Sequence, residues 1–149
     1  MQGDRVNTRT AEFVMALDQG TTSSRSILFD HQYTIHSQCQ VELKQSFPHS
    51  GWVEQDPNEI WQTTLDTARQ SMHQGGLRAD QLCALGISNQ RETTIVWNRA
   101  SGEPVYRAIV WQDRRTAEYC NNLQREGAKT MVSAKTGLLL DAYFSASKI

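Results

Sequence analysis

Between Phe13 and Phe29 the chain reads FVMALDQGTTSSRSILF, with apolar runs at Phe13–Leu17 and Ile27–Phe29 flanking a polar stretch. Short apolar runs bounded by turn residues are the pattern of buried strands. Asp18 to Arg25 therefore joins two strands, most simply as a hairpin. After a turn at Asp30–Gln32, apolar and polar positions alternate from Tyr33 to Leu43: Tyr33, Ile35, Ser37, Cys39, Val41 and Leu43 share one face, and Thr34, His36, Gln38, Gln40 and Glu42 the other. A period of two predicts a strand with one buried and one wet face. The chain thus opens with three sequential strands, a meander.

The period then changes. FPHSGWVEQDP is a loop running into a helix, with Asp56 as N-cap, Pro57 in the first helical position and Glu59 at capping-box spacing. Trp61, Leu65, Ala68 and Met72 recur at helical spacing and are expected in the core, and Gly75-Gly76 ends the helix. Leu82–Ser88 (LCALGIS) is a continuous apolar run, read as a strand covered on both faces. Helix followed by buried strand implies a crossover and a mixed sheet with helices packed on it. Thr93–Trp97 and Val105–Trp111 read as two further strands around a turn containing Gly102. Asp113 is a natural cap for a helix of about a dozen residues with Ala117, Cys120 and Leu123 facing inward. Gly127 closes it, and Lys129–Lys135 forms a short helix before Gly137. Ser145–Ile149 has the form of the first turn of an unfinished helix, a sign of truncation.

Composition narrows the function classes. The 149 residues suffice for one domain with a real core, or for part of a larger protein. Hydrophobic residues are 38% and the net charge is −1 with both signs interspersed, so no extended nucleic-acid or anionic-membrane surface is expected. No run is long enough to span a bilayer. Residues 1–12 are polar, unlike a secretory signal, and are expected to form a flexible tail. Cys39, Cys83 and Cys120 are far apart and odd in number, as for reduced thiols in a cytoplasm, and the four histidines form no zinc-ligand pattern with them.

Two stretches carry candidate chemistry. In Asp18–Arg25, Gly20 can take a positive φ, and a turn there presents backbone N–H groups and hydroxyls in one direction, a concavity suited to an anion. Arg25 adds positive charge, and Asp18 stands where a divalent cation on that anion would sit. A solvated hairpin loop accounts for the same residues equally well. In Asn89–Thr94 (NQRETT), Arg91 beside Glu92 offers a donor and an acceptor side by side. A polyol needs both, because each hydroxyl donates and accepts. By itself such a dipeptide is more often an exposed ion pair worth little.

Resemblance separates these readings. ALDQGTTSSR resembles the first phosphate-binding loop of the FGGY carbohydrate kinases. GWVEQDPNEIW, GISNQRETTIVW, IVWQDRRTAEYC and TGLLLDAYFSASK resemble further stretches of the members that phosphorylate glycerol, in the same order. There is no GxxxxGK[ST] and no GxGxxG. The resemblance implies an α/β domain over 13–149 of the actin-like ATPase (ribonuclease H-like) class, with a mixed sheet and flanking helices, incomplete at its C-terminus. It also implies ATP and Mg2+ as cofactors and transfer of phosphate to glycerol in the cytoplasm, and leaves homo-oligomerisation of the full-length enzyme open. Arg91 and Glu92 would bind glycerol hydroxyls, Tyr143 would add a phenolic bond and Trp111 an apolar wall. Thr21, Thr22, Ser23 and Arg25 would contact the nucleotide phosphates, with Asp18 near the metal. The family commonly has proline where Ala142 stands and glycine-threonine at Ala146-Ser147, so the hold on Tyr143 is expected to be looser. The family's catalytic aspartate lies in a Gly-Asp-Gln motif further along, and its adenosine-binding residues later still, both beyond Ile149. The alternatives are a kinase for another sugar or polyol, a non-catalytic polyol-binding or regulatory domain, and a remnant of a disrupted coding region.

Overall fold

A computed structural model describes residues 12–149, so most of the expected tail at 1–12 lies outside the described residues. The chain divides into two compact units. Among the described residues, one comprises 12–42 and 62–89, the other 43–61 and 90–149.

The first unit holds the meander. Strand β1 (Phe13–Gln19) pairs antiparallel with β2 (Ser23–Phe29), β2 pairs antiparallel with β3 (Ile35–Glu42), and β5 (Leu82–Ser88) runs parallel to β1. The order β3-β2-β1-β5 is the mixed sheet that the crossover predicts. Helix α1 (Pro57–Gln74) makes that crossover, its first turns lying in the second unit. It begins where Asp56 Oδ1 accepts the Asn58 N–H at 2.9 Å. It ends as Gly76, at φ 63°, donates to His73 O while Leu77 donates to Met72 O.

Four expectations change here. Trp61 is 63% exposed, and in this unit α1 buries Thr67 and Ser71 instead. The reason is the chemistry of the sheet face opposite. Ser24 Oγ meets Thr63 Oγ1 at 2.9 Å, Ser26 Oγ meets Ser71 Oγ at 2.8 Å, Ser37 Oγ donates to Ser71 O and Cys39 Sγ to Gln70 Oε1. Small hydroxyl residues bring the helix backbone close to the sheet, and these buried hydroxyls are satisfied, Ser24 and Ser26 by other hydroxyls and Thr67 by the Thr64 carbonyl. Strand β5 is not covered on both faces: Leu85 is 52% and Ile87 68% exposed. It is an edge strand bonded to β1 alone, whereas the α1 contacts just described fall on β2 and β3. Tyr33, at φ 61°, belongs to the turn closed by Asp30 O and is exposed, not part of a buried strand face. Ile35 is likewise 52% exposed at the start of β3.

The second unit has little regular structure. Strand β4 (Glu54–Gln55), unforeseen because it is two residues inside a Gly/Pro-containing loop, pairs antiparallel with β6 (Ala108–Ile109). The expected Thr93–Trp111 hairpin is present as single bridges, Thr94 to Ile109 and Trp97 to Pro104. Leu43, Ile60 and Ala108 form the apolar centre, with Ile95 against it. Helices α2 (Ala117–Arg125) and α3 (Ala128–Thr136) follow, each ended by a glycine in the left-handed region, Gly127 at φ 89° and Gly137 at φ 72°. Cys120 is buried, as its helical position predicts. Thr116, not Asp113, precedes α2, because Asp113 is committed to the network described below. A 3-10 turn spans Ser145–Lys148. Leu138, Leu139 and Ile149 are exposed.

Candidate functional site

The residues singled out at the phosphate loop lie in the first unit. Strands β1 and β2 run further than their apolar cores, so Asp18 and Arg25 pair in register and the linking turn shrinks to Gly20–Thr22. The Gly20 N–H closes it on Ser23 O at 2.9 Å. Gly20 does not use a positive φ. Its value is space, since a Cβ there would stand 3.2 Å from Ser23 O. Thr21 and Ser23 are half-buried and Thr22 is exposed. Arg25 Nη2 donates to Asp18 Oδ2 at 2.7 Å. Both side chains are about two-fifths exposed, at 42% and 41%, so the pair contributes little to stability. Arg25 Nε, by contrast, is buried with no hydrogen-bond partner. An unmade buried donor costs about 1–3 kcal/mol, and an anion's oxygen would satisfy it.

The residues of the polyol reading lie in the second unit. Glu92 has φ 65°, a left-handed conformation that non-glycine residues seldom adopt, and such strain persists only where the surroundings hold it. Here they do. Gln55 on β4 accepts from Gln90 Nε2 at 2.9 Å, Gln90 Oε1 accepts from Thr93 Oγ1 at 2.9 Å, and Thr93 Oγ1 lies 3.4 Å from the Trp111 N–H. Gln55 and Gln90 are buried. From the other side, Ser145 Oγ reaches Glu92 O at 3.2 Å and Glu92 Oε2 at 3.3 Å. The Trp111 and Tyr143 rings meet edge to face with centroids 5.7 Å apart, and Phe144 packs on Tyr143 at 5.0 Å. Arg91 is exposed on the Glu92 turn. Trp111 and Tyr143 are therefore in contact, and Glu92 is bonded to the turn that follows Tyr143.

Tyr143 is held more firmly than Ala142 suggests. Asp141 Oδ1 accepts its N–H at 2.8 Å and also binds Arg114 Nη1 at 2.9 Å, while Ala142 is fully buried. The Tyr143 N–H bond holds the Asp141 carboxyl below the usual value; burial opposes this and Arg114 reinforces it. Lys148 Nζ donates to Tyr143 O and to Val110 O, each at 3.2 Å. Burial pushes its pKa down, against the pull of Asp113 and Glu92.

Sequence reasoning missed the charged network beneath. Asp113, fully buried, accepts from the Val53 and Arg115 backbone N–H groups at 2.7 and 2.8 Å and from Arg115 Nε and Nη2 at 2.9 Å each. Arg115 also donates to Glu54 Oε1 at 2.7 Å and stacks 3.7 Å over the Trp52 ring. Tyr106 Oη donates to the same Glu54 oxygen, and Arg107 Nε lies 3.3 Å from the other. Burial alone would lower the Arg115 pKa, and its bonds to Asp113, Glu54 and Tyr106 raise it instead. A glutamate between Val53 and Gln55 near a tryptophan, and an aspartate two residues before an arginine, are the only signals the sequence offers.

The model of the FGGY family of carbohydrate kinases, N-terminal domain, matches residues 13–149. The chain belongs to that family. It is 55% identical over 137 residues to a glycerol kinase of Afipia carboxidovorans, and 54% over 138 residues to one of Deinococcus radiodurans, matching 92% and 93% of this chain. Among solved structures, Plasmodium falciparum glycerol kinase with ADP superposes with a TM-score of 0.84 at 30% identity over 93% of this chain. The chain spans about 28% of the length of the first of these relatives and of that solved structure, and 27% of the Deinococcus protein. The fold is thus the actin-like ATPase class expected from the resemblance, represented by its N-terminal part. Among the described residues, no helix is long and apolar enough to cross a membrane.

Proposed function

We propose that this chain forms the polyol pocket and first phosphate loop of an ATP-dependent glycerol kinase, which moves the γ-phosphoryl group of ATP to a terminal hydroxyl of glycerol. The observation that carries the reading is the corner in which the Trp111 and Tyr143 rings meet and Ser145 bonds to Glu92. A three-carbon polyol needs an apolar wall for its skeleton and, for each hydroxyl, both a donor and an acceptor. Trp111 supplies the wall, Arg91 and the Tyr143 phenol the donors, and Glu92 the acceptor. Partners that a bound polyol desolvates would also reject analogues lacking a hydroxyl, because those would leave them unpaired. Identity of 55% to proteins named glycerol kinase favours glycerol over other polyols.

On the nucleotide side, the residues fit a phosphate with its metal. The orphaned Arg25 Nε is a donor awaiting an oxygen, with the hydroxyls of Thr21, Thr22 and Ser23 on the same loop. Asp18 is a single carboxylate, which suits Mg2+, an ion that keeps several waters and takes substrate phosphates as further ligands. When bound, Mg2+ neutralises charge on the transferring phosphates. Arg25 and the loop position those phosphates; Glu92 and Arg91 orient the attacking hydroxyl. Neither Asp18, placed beside the metal and bound to Arg25, nor Glu92, which holds hydroxyls, is assigned as the proton acceptor.

The test is Arg91→Ala in the full-length protein, assayed by coupled ADP release. The expected result is a glycerol KM raised by about tenfold or more with the ATP KM within about twofold. An unchanged glycerol KM with weakened ATP binding would move Arg91 to the nucleotide site and refute the assignment.

A further inference from the structure

Lys148 carries no role in the reading above, yet its ammonium joins the two sides of the aromatic corner. It donates to Val110 O, in the residue before Trp111, and to Tyr143 O, each at 3.2 Å. Val110 is fully buried, so the backbone ahead of Trp111 has little room to shift. The two rings whose backbones it grips are those that meet at 5.7 Å and 62°. The turn bearing the lysine is itself anchored: Ser147 Oγ pairs with Thr116 Oγ1 at 2.8 Å, and Ser145 Oγ reaches Glu92. A carbonyl oxygen is the negative end of its dipole, so a cationic donor between these two draws them together and adds to the ring contact. Lysine suits the task because its three donors sit at one point on a flexible stem and can bond carbonyls in different directions.

We propose that Lys148 is a positioning residue that sets the separation of the Trp111 and Tyr143 rings and, through it, the size of polyol the pocket accepts. The proposal rests on the polyol reading above and adds a source for its specificity. Lys148 need not touch substrate. Its effect is geometric, and it predicts a signature that general destabilisation would not give.

The experiment compares Lys148→Met, which keeps much of the stem's bulk without the donors, with Lys148→Arg, which keeps charge and donors. Both are made in the full-length protein and assayed with glycerol, with a four-carbon polyol, and for the ATP KM. In Lys148→Met the glycerol KM should rise about tenfold, the ATP KM should stay within about twofold, and the preference for glycerol over the longer polyol should fall about fivefold or more. Lys148→Arg should recover much of that preference. Thr116→Val, which removes the Ser147 tie but touches neither carbonyl, should lower the melting temperature and leave the preference intact. The proposal is overturned if Lys148→Met keeps the wild-type preference, or if Thr116→Val lowers it equally. Should Lys148→Met fail to fold, Lys148→Gln takes its place against Thr116→Val: a preference lowered only in the former supports the clamp, and any other result overturns it. A wild-type protein that leaves glycerol untouched would refute the proposed reaction instead. The clamp is then judged on the crystal structure of Lys148→Met, where an unchanged ring separation refutes it.

Discussion

Replacing Asp113 by asparagine removes one charge from a buried ion-pair network while keeping its shape. Each carboxylate oxygen accepts two bonds: Oδ1 from Arg115 N and Nε, Oδ2 from Val53 N and Arg115 Nη2. An amide offers one acceptor oxygen and must turn its NH2 group on one of those donor pairs. Two bonds become donor-to-donor contacts in either orientation, and each orphaned buried donor costs about 1–3 kcal/mol. Breaking a buried ion pair by removing one partner costs about 3–5 kcal/mol, so about 4 kcal/mol is the expected loss. For a chain of this size that lowers the melting temperature by about 8–16 °C. The assay is urea unfolding followed by circular dichroism, with Arg115→Met and the double variant completing a cycle. Because the two groups satisfy each other, the double variant should be less damaging than the sum of the singles by about 1 kcal/mol or more. A loss below about 1 kcal/mol for Asp113→Asn would refute the account of the network. Burial alone would raise the Asp113 pKa, but the Arg115 side chain and the Arg115 and Val53 N–H groups outweigh it and hold the carboxyl below its usual value. The unfolded chain therefore takes up the proton first as pH falls. The group's stabilisation is complete above the ordinary carboxylate range and is lost as pH falls through the depressed folded value. Asp113→Asn should accordingly flatten the acid limb of the stability profile.

Two more predictions concern the close fit of α1 on its sheet. Ser71→Ala should cost about 1–2 kcal/mol in urea unfolding because it orphans the buried Ser26 hydroxyl; adding Ser26→Ala should recover part of that loss, and a double variant weaker by the full sum would contradict the pairing. Gly75→Ala puts a Cβ 2.8 Å from Ser37 Oγ and 3.0 Å from the His36 ring, and should cost about 1–3 kcal/mol. Gly86→Ala, which meets nothing within 4 Å, should stay within about 1 kcal/mol by the same measurement.

The strands of the first unit and the boundaries of α1 were legible because they depend on local signals. Apolar runs, a period of two, the Asp56-Pro57 start and the Gly75-Gly76 stop all act within a few residues. The face of α1 was not, because its partner surface is a row of serines on β2 and β3, and hydroxyls carry no apolar signal. Hydrophobic periodicity chose Trp61, while the structure chose Thr67, whose hydroxyl bonds the Thr64 carbonyl, and Ser71, which pairs with the Ser26 hydroxyl distant in sequence. The same limit applies to LCALGIS. An apolar run says that a strand is compatible with cover on both faces, not which elements lie beside it, and Leu85 and Ile87 remain exposed. For the site, Glu92, Trp111 and Tyr143 were reachable through motif resemblance. Gln55, Asp113, Arg115 and Lys148 act by holding backbone and side chains in place, and their partners stand 35, 60, 61 and 38 residues away.

At Ala142 such holding residues act where no proline ring constrains the chain. Proline at that position would fix φ near −65° and remove an N–H, stiffening the chain ahead of Tyr143. Alanine does neither. In its place Asp141 forms a turn with its own side chain, accepting the Tyr143 N–H at 2.8 Å while Arg114 fixes the carboxylate, the arrangement that aspartate favours in turns. Lys148 takes the carbonyl of the same residue, so both backbone polar groups of Tyr143 are bonded to side chains of opposite charge. Ala142 is fully buried between them, with no surface left for a larger side chain. Two ionised neighbours hold the backbone at Tyr143. The hold lasts while Asp141 is charged, and because the Tyr143 N–H itself helps keep that carboxyl ionised, the hold on the ring and the charge that maintains it reinforce one another.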